Sequence, residues 1–318
     1  MIDQHQSYNN IVESLYNKNY LDDSDLSSTS DYWQRKGLNA DYSISLVNNK
    51  YIISGEHFQL GSYKKQTLKN VIEHIPVTIQ LTYMLKKINC SKNILGLGKN
   101  IVKERKIIFG YDHVKQLLCI DTIYKLKLFE NLNIICVIGD GYGFVTTLIK
   151  RMYPDKTVIC VNIGRMLIFD VLGCEQNLFS QSGSNKVSII KKTSDLENYD
   201  KGHLFFLEAE NCGLLRNLPI GLFINICSMQ EMEMDVINNY FSIMRSSSIE
   251  SYFYCCNRQK KTFKDGSCIS FEKYPWIDND EILLDDICPW IASKPVVQFP
   301  FVKYFQPHQH RAVKIMQN

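Results

Sequence analysis

The sequence predicts an α/β protein in which a doubly wound, mostly parallel sheet follows a mainly helical accessory segment. An apolar run rich in β-branched residues, 133–138, leads directly into Gly139, Gly141 and Gly143. Apolar residues then recur at helical spacing until Pro154, which ends the pattern. Further short apolar runs follow, with room for a helix between them. A buried strand, a glycine-rich turn and a helix in this order are typical of such a sheet.

The accessory segment is predicted to cover residues 1–110, and the sheet domain residues 111–318. Apolar residues at helical spacing around Ile11 predict a first short helix. A second periodic stretch predicts either two helices or one helix kinked at Pro76, because proline lacks the N–H that a helix interior needs. The run 114–128 predicts an amphipathic helix that leads into the glycine-rich unit. No repeat and no low-complexity linker marks the boundary between the two parts.

Three other stretches of the accessory segment have a recognisable character. The Asp- and Ser-rich stretch 21–30 predicts a loop or helix caps. Trp33 either stacks on a sugar or anchors the segment by packing, and packing is the commoner use of a tryptophan. The basic residues between Lys99 and Lys106 predict a solvated face, with binding of a diphosphate as the alternative.

The composition is that of an ordinary globular protein. Of 318 residues, 45% are hydrophobic and 22% charged, and such a chain can bury a sizeable core. A net charge of +3 is too small to argue for a nucleic-acid partner. No apolar run approaches the roughly 20 residues of a membrane span, and the first residues lack the character of a signal peptide. Eleven scattered cysteines without a C-x-x-C pair indicate reduced thiols and therefore a cytoplasmic location.

The glycine-rich turn predicts a ligand site. Glycine accepts backbone angles that a Cβ resists and lets a ligand approach the main chain, while the following helix points N–H groups at the same place. The dinucleotide fingerprint has its third glycine where this chain has Phe144. The spacing Gly139-x-Gly141-x-Gly143 instead resembles the first motif of S-adenosylmethionine-dependent methyltransferases. The resemblance implies that the turn binds S-adenosylmethionine through Gly139, Asp140, Gly141, Tyr142 and Gly143.

Two acids that this motif usually carries are absent. Val137 stands where an acid usually precedes the first glycine by two places, and Asn162 ends the second strand, where an acid usually meets the ribose hydroxyls. An asparagine can accept from one hydroxyl and donate to the other. Asn162 is therefore predicted to bind the ribose, and an aspartate is expected to be tolerated there. Asp140 is predicted either to contact the methionine amine or to bond its own turn.

Two further strand ends supply candidate cofactor contacts. The third apolar run ends at Glu208, Ala209 and Glu210, where the methyltransferase layout implies the adenine. Glu208 or Glu210 is expected to receive its amine, with an exposed acidic turn as the alternative. The fourth run contains Asn225 and ends before Ser228, and a fifth run, 251–256, follows a predicted helix. Ligands bind at the carboxyl ends of strands in a doubly wound sheet. The residues predicted to contribute to the cofactor site are therefore Glu208, Ala209, Asn225 and Ser228.

Several motifs between Gly139 and the C-terminus resemble the sugar O-methyltransferase family, which belongs to the Rossmann-like class I methyltransferases. They occur in the family's order over more than half of the chain, at 223–232, 252–258, 265–267, 274–276, 288–290 and 310–314. The resemblance implies methyl transfer from S-adenosylmethionine to a hydroxyl of a nucleotide-linked or glycan-linked sugar. No nucleic-acid partner is expected from the small net charge, and homo-oligomerisation is left open.

A sugar hydroxyl needs a base to take its proton as the new bond forms. Glu231 is the first candidate by position, with the first-turn carboxylate of a helix as the alternative role. His310 is the second candidate, because the pKa of histidine lies near working pH, and His308 is the third. Trp276 and Trp290 either wall the acceptor site or anchor the core. The acidic residues between 278 and 286 predict a solvated loop rather than a metal site.

Two other classes of protein stay open. A nucleotide-sugar oxidoreductase or epimerase would share the first strand, turn and helix, but its third glycine and a Tyr-x-x-x-Lys motif are not found in suitable places. A non-catalytic binding module in a glycan-assembly complex is favoured by Val137 and Asn162, because both replace acids of the cofactor site.

Overall fold

The computed structural model describes residues 4–17, 42–47, 50–55, 65–178, 186–196, 201–263, 266–291, 293–295, 302–304 and 306–317. The helices of these residues are α1 (Gln4–Tyr16), α2 (Leu68–Lys87), α3 (Lys92–Glu104), α4 (Tyr111–Lys125), α5 (Phe144–Met152), α6 (Gly164–Leu178) and α7 (Met234–Arg245). The strands are β1 (Tyr42–Val47), β2 (Lys50–Gly55), β3 (Ile134–Ile138), β4 (Thr157–Asn162), β5 (Val187–Ile189), β6 (Leu204–Glu208), β7 (Leu222–Ile226), β8 (Ser251–Arg258), β9 (Lys260–Thr262), β10 (Cys268–Ser270), β11 (Glu281–Ile287), β12 (Ser293–Pro295), β13 (Val302–Tyr304) and β14 (His308–Ile315).

Eight strands form one sheet in the order β11-β14-β8-β7-β3-β4-β6-β5. The six strands from β8 to β5 run parallel to one another. Strand β14 lies between β8 and β11 and is antiparallel to both. The predicted doubly wound, mostly parallel α/β fold is confirmed, and its architecture is Rossmann-like. The carboxyl ends of β3, β4, β6 and β7 meet at one edge of the sheet, where ligands bind in this architecture.

The sheet is covered on both faces, which explains its continuous apolar runs. Every residue of β3 is buried. Ile135 and Val137 pack into the core shared with α4, α5 and α6, whereas Cys136 and Ile138 pack into the core shared with α7. Because successive side chains of a strand point to opposite faces, this alternation assigns the α4 side and the α7 side of every neighbouring strand.

The accessory segment is less purely helical than the sequence predicts. Helix α1 forms around Ile11 as predicted and packs against α6 and β5. Strands β1 and β2 pair as an antiparallel hairpin that the periodicity does not indicate. Helix α3 packs on α5, where the sequence suggests only a basic surface. The stretch 21–30 and Trp33 lie outside the described residues, and the boundary at residue 110 stays a prediction.

Helix α2 is one helix that runs through Pro76, one of the two predicted arrangements. Its buried face consists of Val77, Leu81 and Leu85. Apolar side chains on its other faces are exposed: Leu68, Val71, Ile72, Ile75, Ile79 and Tyr83. The apolar content of α2 is therefore larger than its contact with the described part of the chain requires. Among the described helices, none has the length and apolar character to cross a membrane.

Candidate functional site

The three glycines of the turn between β3 and α5 all adopt left-handed backbone angles, with φ of 72° at Gly139, 72° at Gly141 and 62° at Gly143. A Cβ at Gly139 would come within 2.3 Å of Oγ of Ser228, and one at Gly143 within 2.5 Å of the carbonyl oxygen of Asp170. A Cβ at Gly141 would meet nothing within 4 Å. The first and third glycines are thus required by packing, whereas the second faces open space, as a ligand-facing position should.

The carboxylate of Asp140 caps helix α5. Oδ1 accepts a hydrogen bond of 3.0 Å from the N–H of Val145, and Oδ2 one of 2.7 Å from the N–H of Thr146. The side chain is buried. Of the two roles that the sequence leaves open for Asp140, its surroundings favour the bond to its own turn over contact with a methionine amine.

A second carboxylate, that of Asp170 in α6, lies under the same turn. Oδ1 accepts hydrogen bonds from the N–H groups of Tyr142 and Gly143, at 2.5 and 2.9 Å. Oδ2 accepts one from Nδ2 of Asn162, at 2.7 Å. Burial and the neighbouring carboxyl of Asp140 raise the pKa of Asp170 to about 7. Four N–H groups of the turn and the α5 N-terminus therefore already have carboxylate partners.

The contact between Asn162 and Asp170 changes one expectation from the sequence. The Oδ1 atom of Asn162 accepts from the N–H of Ile163, at 2.9 Å, while Nδ2 is directed at Asp170. An aspartate at position 162 would face the carboxylate of Asp170, and like charges at this distance repel. This geometry argues against the expected tolerance of aspartate, because the acidic partner lies on the helix rather than beyond the strand; the effect of the substitution itself stays a prediction.

Arg105, which directly follows α3, stabilises the glycine-rich turn through hydrogen bonds to backbone carbonyl groups. Its guanidinium donates to the carbonyl oxygens of Tyr142, Gly143 and Gly173, at 2.8, 3.1 and 2.9 Å. The basic run predicts a solvated face, with a diphosphate site as the alternative. In the structure the arginine is instead bonded to the backbone of the turn, and the lysines on either side, Lys103 and Lys106, are exposed.

A pocket opens at the carboxyl ends of β3, β4, β6 and β7. Five predicted cofactor residues line it: Gly139, Gly141, Asn162, Ala209 and Ser228. Six residues that are not among the predicted cofactor contacts complete it: Ile138, Val161, Ile163, Met166, Met232 and Tyr240. The walls are apolar, and polar groups stand at the strand ends, which is the usual design of a small-molecule site. Apolar spacing marks the added residues as core, so no signal in the sequence separates them from the rest of the core.

Two predicted cofactor residues are not among those that line the pocket. Asn225 is fully buried; its Nδ2 donates to the carbonyl oxygen of Ile138, at 3.0 Å, and its Oδ1 accepts from the N–H of Met229, at 3.1 Å. It thereby fixes the turn that carries Ser228. Glu208 is buried at the end of β6, beside Asn162 in the strand register. Contact of either residue with a cofactor stays a prediction.

Glu231 lies in the short 3-10 turn that follows Ser228, next to the pocket-lining Met232. Its carboxylate pairs with the ammonium group of Lys261 in β9, and both side chains are largely buried. Nε2 of Gln230 donates to its other oxygen, at 3.4 Å. The structure thus brings the first candidate base to the edge of the sheet where the pocket opens.

The two candidate histidines lie on the α4 side of β14. His310 is enclosed by Trp290 and Tyr254, with 3.3 Å between its Nδ1 and the Tyr254 hydroxyl. Burial lowers its pKa. His308 is nearer the ligand edge of the sheet, and its Nδ1 lies 3.0 Å from the carbonyl oxygen of Gln306. Both histidines are buried residues of a strand, so neither stands on a surface loop.

Trp276 and Trp290 are core anchors, one of the two roles left open for them. Trp276 packs on Phe253 and Phe271, and Trp290 packs against His310. The acidic residues after 277 are partly committed as well, since Asp280 pairs with Arg245 at 2.8 Å. Within the described ranges, no three His, Cys, Asp or Glu side chains are arranged to hold a metal ion.

The strand order and the glycine turn define a Rossmann-like domain. No protein-family model and no curated protein matches the chain. Solved structures that resemble it include the magnesium protoporphyrin IX methyltransferase of Synechocystis with bound S-adenosylmethionine (10% identity, TM-score 0.38, 74% of this chain and 96% of that one). An S-adenosylmethionine-dependent methyltransferase of Aquifex aeolicus is similar at 10% identity and a TM-score of 0.36, over 62% of this chain and 89% of that one. At such identities and TM-scores, the ligand and the reaction must be argued from the chain's own site.

Proposed function

We propose that this protein is an S-adenosylmethionine-dependent methyltransferase that methylates a hydroxyl of a sugar. One observation carries the choice of cofactor: the N–H groups at the start of α5 are bonded to the carboxylates of Asp140 and Asp170. A ligand over this turn must therefore be recognised without a phosphate at the helix N-terminus.

This observation separates the cofactors that share a glycine-rich turn. A dinucleotide places its pyrophosphate on the first helix N-terminus. Here such a phosphate would have to displace a buried carboxylate and would meet a second one, so a nucleotide-sugar oxidoreductase is disfavoured. S-adenosylmethionine has no phosphate and carries a sulfonium and an ammonium group. The residues present fit it: an open glycine, a strand-end amide and apolar walls.

The Asn162–Asp170 contact also bears on the non-catalytic alternative. Acids missing at positions 137 and 162 suggest a degenerate site when the sequence is read alone. Asp170 supplies a carboxylate to the same turn from α6, and Asn162 is bonded to it. An acid at position 162 would disturb this arrangement, so its replacement is consistent with a working site.

When bound, S-adenosylmethionine supplies an electrophilic methyl group. We infer that Glu231 takes the proton of the attacking hydroxyl, because it follows Ser228 closely and lies next to the pocket-lining Met232. The enclosure of His310 favours a packing role for that residue. A sugar as acceptor rests on the motif resemblance, whereas the expected absence of a nucleic-acid partner rests on the small net charge of +3.

Calorimetric titration of the purified protein with S-adenosylmethionine and, separately, with NAD⁺ tests the cofactor assignment. We expect saturable binding of S-adenosylmethionine and no measurable binding of NAD⁺. Binding of NAD⁺ alone would overturn the proposal in favour of an oxidoreductase. Binding of S-adenosylmethionine without methyl transfer to any member of a panel of neutral and acidic sugars would favour the non-catalytic module.

A further inference from the structure

A basic cluster, defined here as Lys115, Arg258 and His308, lies on the α4 side of the sheet at its ligand edge. Tyr254 and Cys256 of β8 face the α4-side core, and Arg258 continues this alternation at the end of the strand. His308 pairs directly with Arg258 in the register of β14 and β8. The two side chains therefore stand next to each other on the same face.

Helix α4 brings Lys115 to the same edge. The next residue, Gln116, donates from Nε2 to the carbonyl oxygen of Asp140 in the glycine turn, at 3.0 Å. The hydroxyl of Tyr111 donates to the carbonyl oxygen of Trp290, at 3.1 Å. These two contacts fix the first half of α4 across the strand ends. The Lys115 side chain is only 17% exposed, and its ammonium lies 3.2 Å from the carboxylate of Asp112.

The charges of the cluster do not balance. Burial, together with the cations Arg258 and Lys115, lowers the pKa of His308 to about 4, so the imidazole is neutral. Asp112 compensates Lys115. The thiol of Cys227 stays neutral, since burial raises its pKa to about 12. One positive charge, that of Arg258, is left over.

Arg258 has no side-chain partner within the described part of the chain. Its Nε is buried from solvent, yet this donor has no hydrogen-bond acceptor in the protein. Leaving such a donor unsatisfied costs about 1–3 kcal/mol, and more for a charged group. A guanidinium without a protein partner is suited to a bidentate bond with a carboxylate or phosphate.

The cluster lies close to the cofactor pocket. Between β7 and the pocket-lining Ser228 stands Cys227, which has a left-handed backbone with φ of 61°. Its side chain packs against the α4-side core, whereas Ser228 lines the pocket. Non-glycine residues in this conformation cost energy and are concentrated at functional sites. The pocket and the α4 side of the sheet are therefore reached by two consecutive residues, Ser228 and Cys227.

We propose that the basic cluster binds an anionic group, a carboxylate or a phosphate, on the acceptor molecule. That this ligand is the methyl acceptor rests on the function proposed above. Arg258 forms the bidentate contact, and Lys115 adds a point charge whose partner, Asp112, is more exposed. The acceptor class is therefore a hydroxyl compound with an acidic group, such as a uronic acid or a sugar phosphate, rather than a neutral sugar.

The test compares the binding of three probes to the full chain by ligand-observed NMR: glucuronate, glucose 1-phosphate and glucose. We expect at least one anionic probe to bind ten-fold or more tightly than glucose, and the better one identifies the group as carboxylate or phosphate. Arg258→Gln and Lys115→Met should each reduce this preference several-fold. Lys99→Gln, which removes the same charge from an exposed position of α3, should leave it unchanged.

Two results would overturn the proposal: equal binding of all three probes, or an anion preference that survives in both variants. Arg258 is partly exposed, so Arg258→Gln keeps the test valid if Lys115→Met fails to fold, which circular dichroism would detect. Titration of the same samples with S-adenosylmethionine separates the two proposals. Normal cofactor binding without anion preference refutes only the cluster, whereas anion preference without cofactor binding refutes only the methyltransferase assignment.

Discussion

The glycine turn and the basic cluster stand at the same edge of the sheet and differ in how far their polar groups are committed. In the turn, backbone N–H groups are bonded to Asp140 and Asp170, and carbonyl groups to Arg105. In the cluster, the guanidinium of Arg258 has no partner within the described residues. The turn is thus held in one shape by the protein itself, while the cluster is left to be completed by a ligand.

This difference fits the two tasks of the proposed methyltransferase, which are to hold a cofactor and to recognise an acceptor. A fixed backbone can position one invariant cofactor without reorganisation, because its shape is set before binding. Side chains on strand and helix ends can be exchanged without altering the fold, so they suit the recognition of a particular acceptor. Substitutions under the turn should therefore affect stability and cofactor together, whereas substitutions in the cluster should affect only the acceptor.

The largest expected effect on turnover is at the candidate base. Glu231→Gln should leave S-adenosylmethionine affinity unchanged and lower methyl transfer by roughly 10²–10⁴-fold, the usual range for loss of a general base. Single-turnover kinetics with labelled cofactor would measure this. His310→Asn is the comparison variant and should be milder, because His310 is enclosed by Trp290 and Tyr254. Near-normal turnover of Glu231→Gln would leave that carboxylate only its ion pair with Lys261.

The next largest effect is expected under the turn. Asp170→Ala removes the acceptor of two backbone N–H groups and of Asn162, all at a buried site. We expect the free energy of unfolding to fall by about 3 kcal/mol or more, since each unsatisfied buried group costs about 1–3 kcal/mol. Urea denaturation measures the change. Asp170→Asn should be less harmful, because one amide oxygen can still accept from both N–H groups. Unchanged stability of Asp170→Ala would show that the carboxylate does not support the turn.

A smaller effect is expected at the strand end. Asn162→Ala should weaken S-adenosylmethionine binding by about 1–2 kcal/mol through the loss of hydrogen bonds. Asn162→Asp should bind the cofactor no better than Asn162→Ala, because the new carboxylate would face Asp170. Calorimetric titration of the two variants with S-adenosylmethionine compares their affinities. Tighter binding by Asn162→Asp would restore the simpler view that this side chain acts only on the ribose.

The sequence predicts the sheet of this protein better than the support of its site. Buried parallel strands such as β3 and β4 are recognisable in the sequence as continuous apolar runs. The position of the site can then be predicted, because the carboxyl ends of these strands meet at one edge of the sheet. Asp170 and Arg105 give no such signal, since their partners lie 28 and 37 residues away along the chain. In the sequence, a buried polar residue of a helix cannot be told from an exposed one, because its hydrogen-bond partner is known only from the fold. Tertiary contacts likewise decide that Asn225 is not among the residues that line the pocket.

The most direct test of cofactor binding at the glycine turn is calorimetry. The wild type, Gly141→Val and Gly266→Val are each titrated with S-adenosylmethionine. Both glycines have left-handed backbones, with φ of 72° and 87°, and a Cβ would meet nothing within 4 Å at either. Backbone strain is therefore matched, but only Gly141 lines the pocket. We expect the wild type and Gly266→Val to bind S-adenosylmethionine equally, and a folded Gly141→Val not to bind it. Normal binding by Gly141→Val, or none by the wild type, would contradict cofactor binding at the glycine turn.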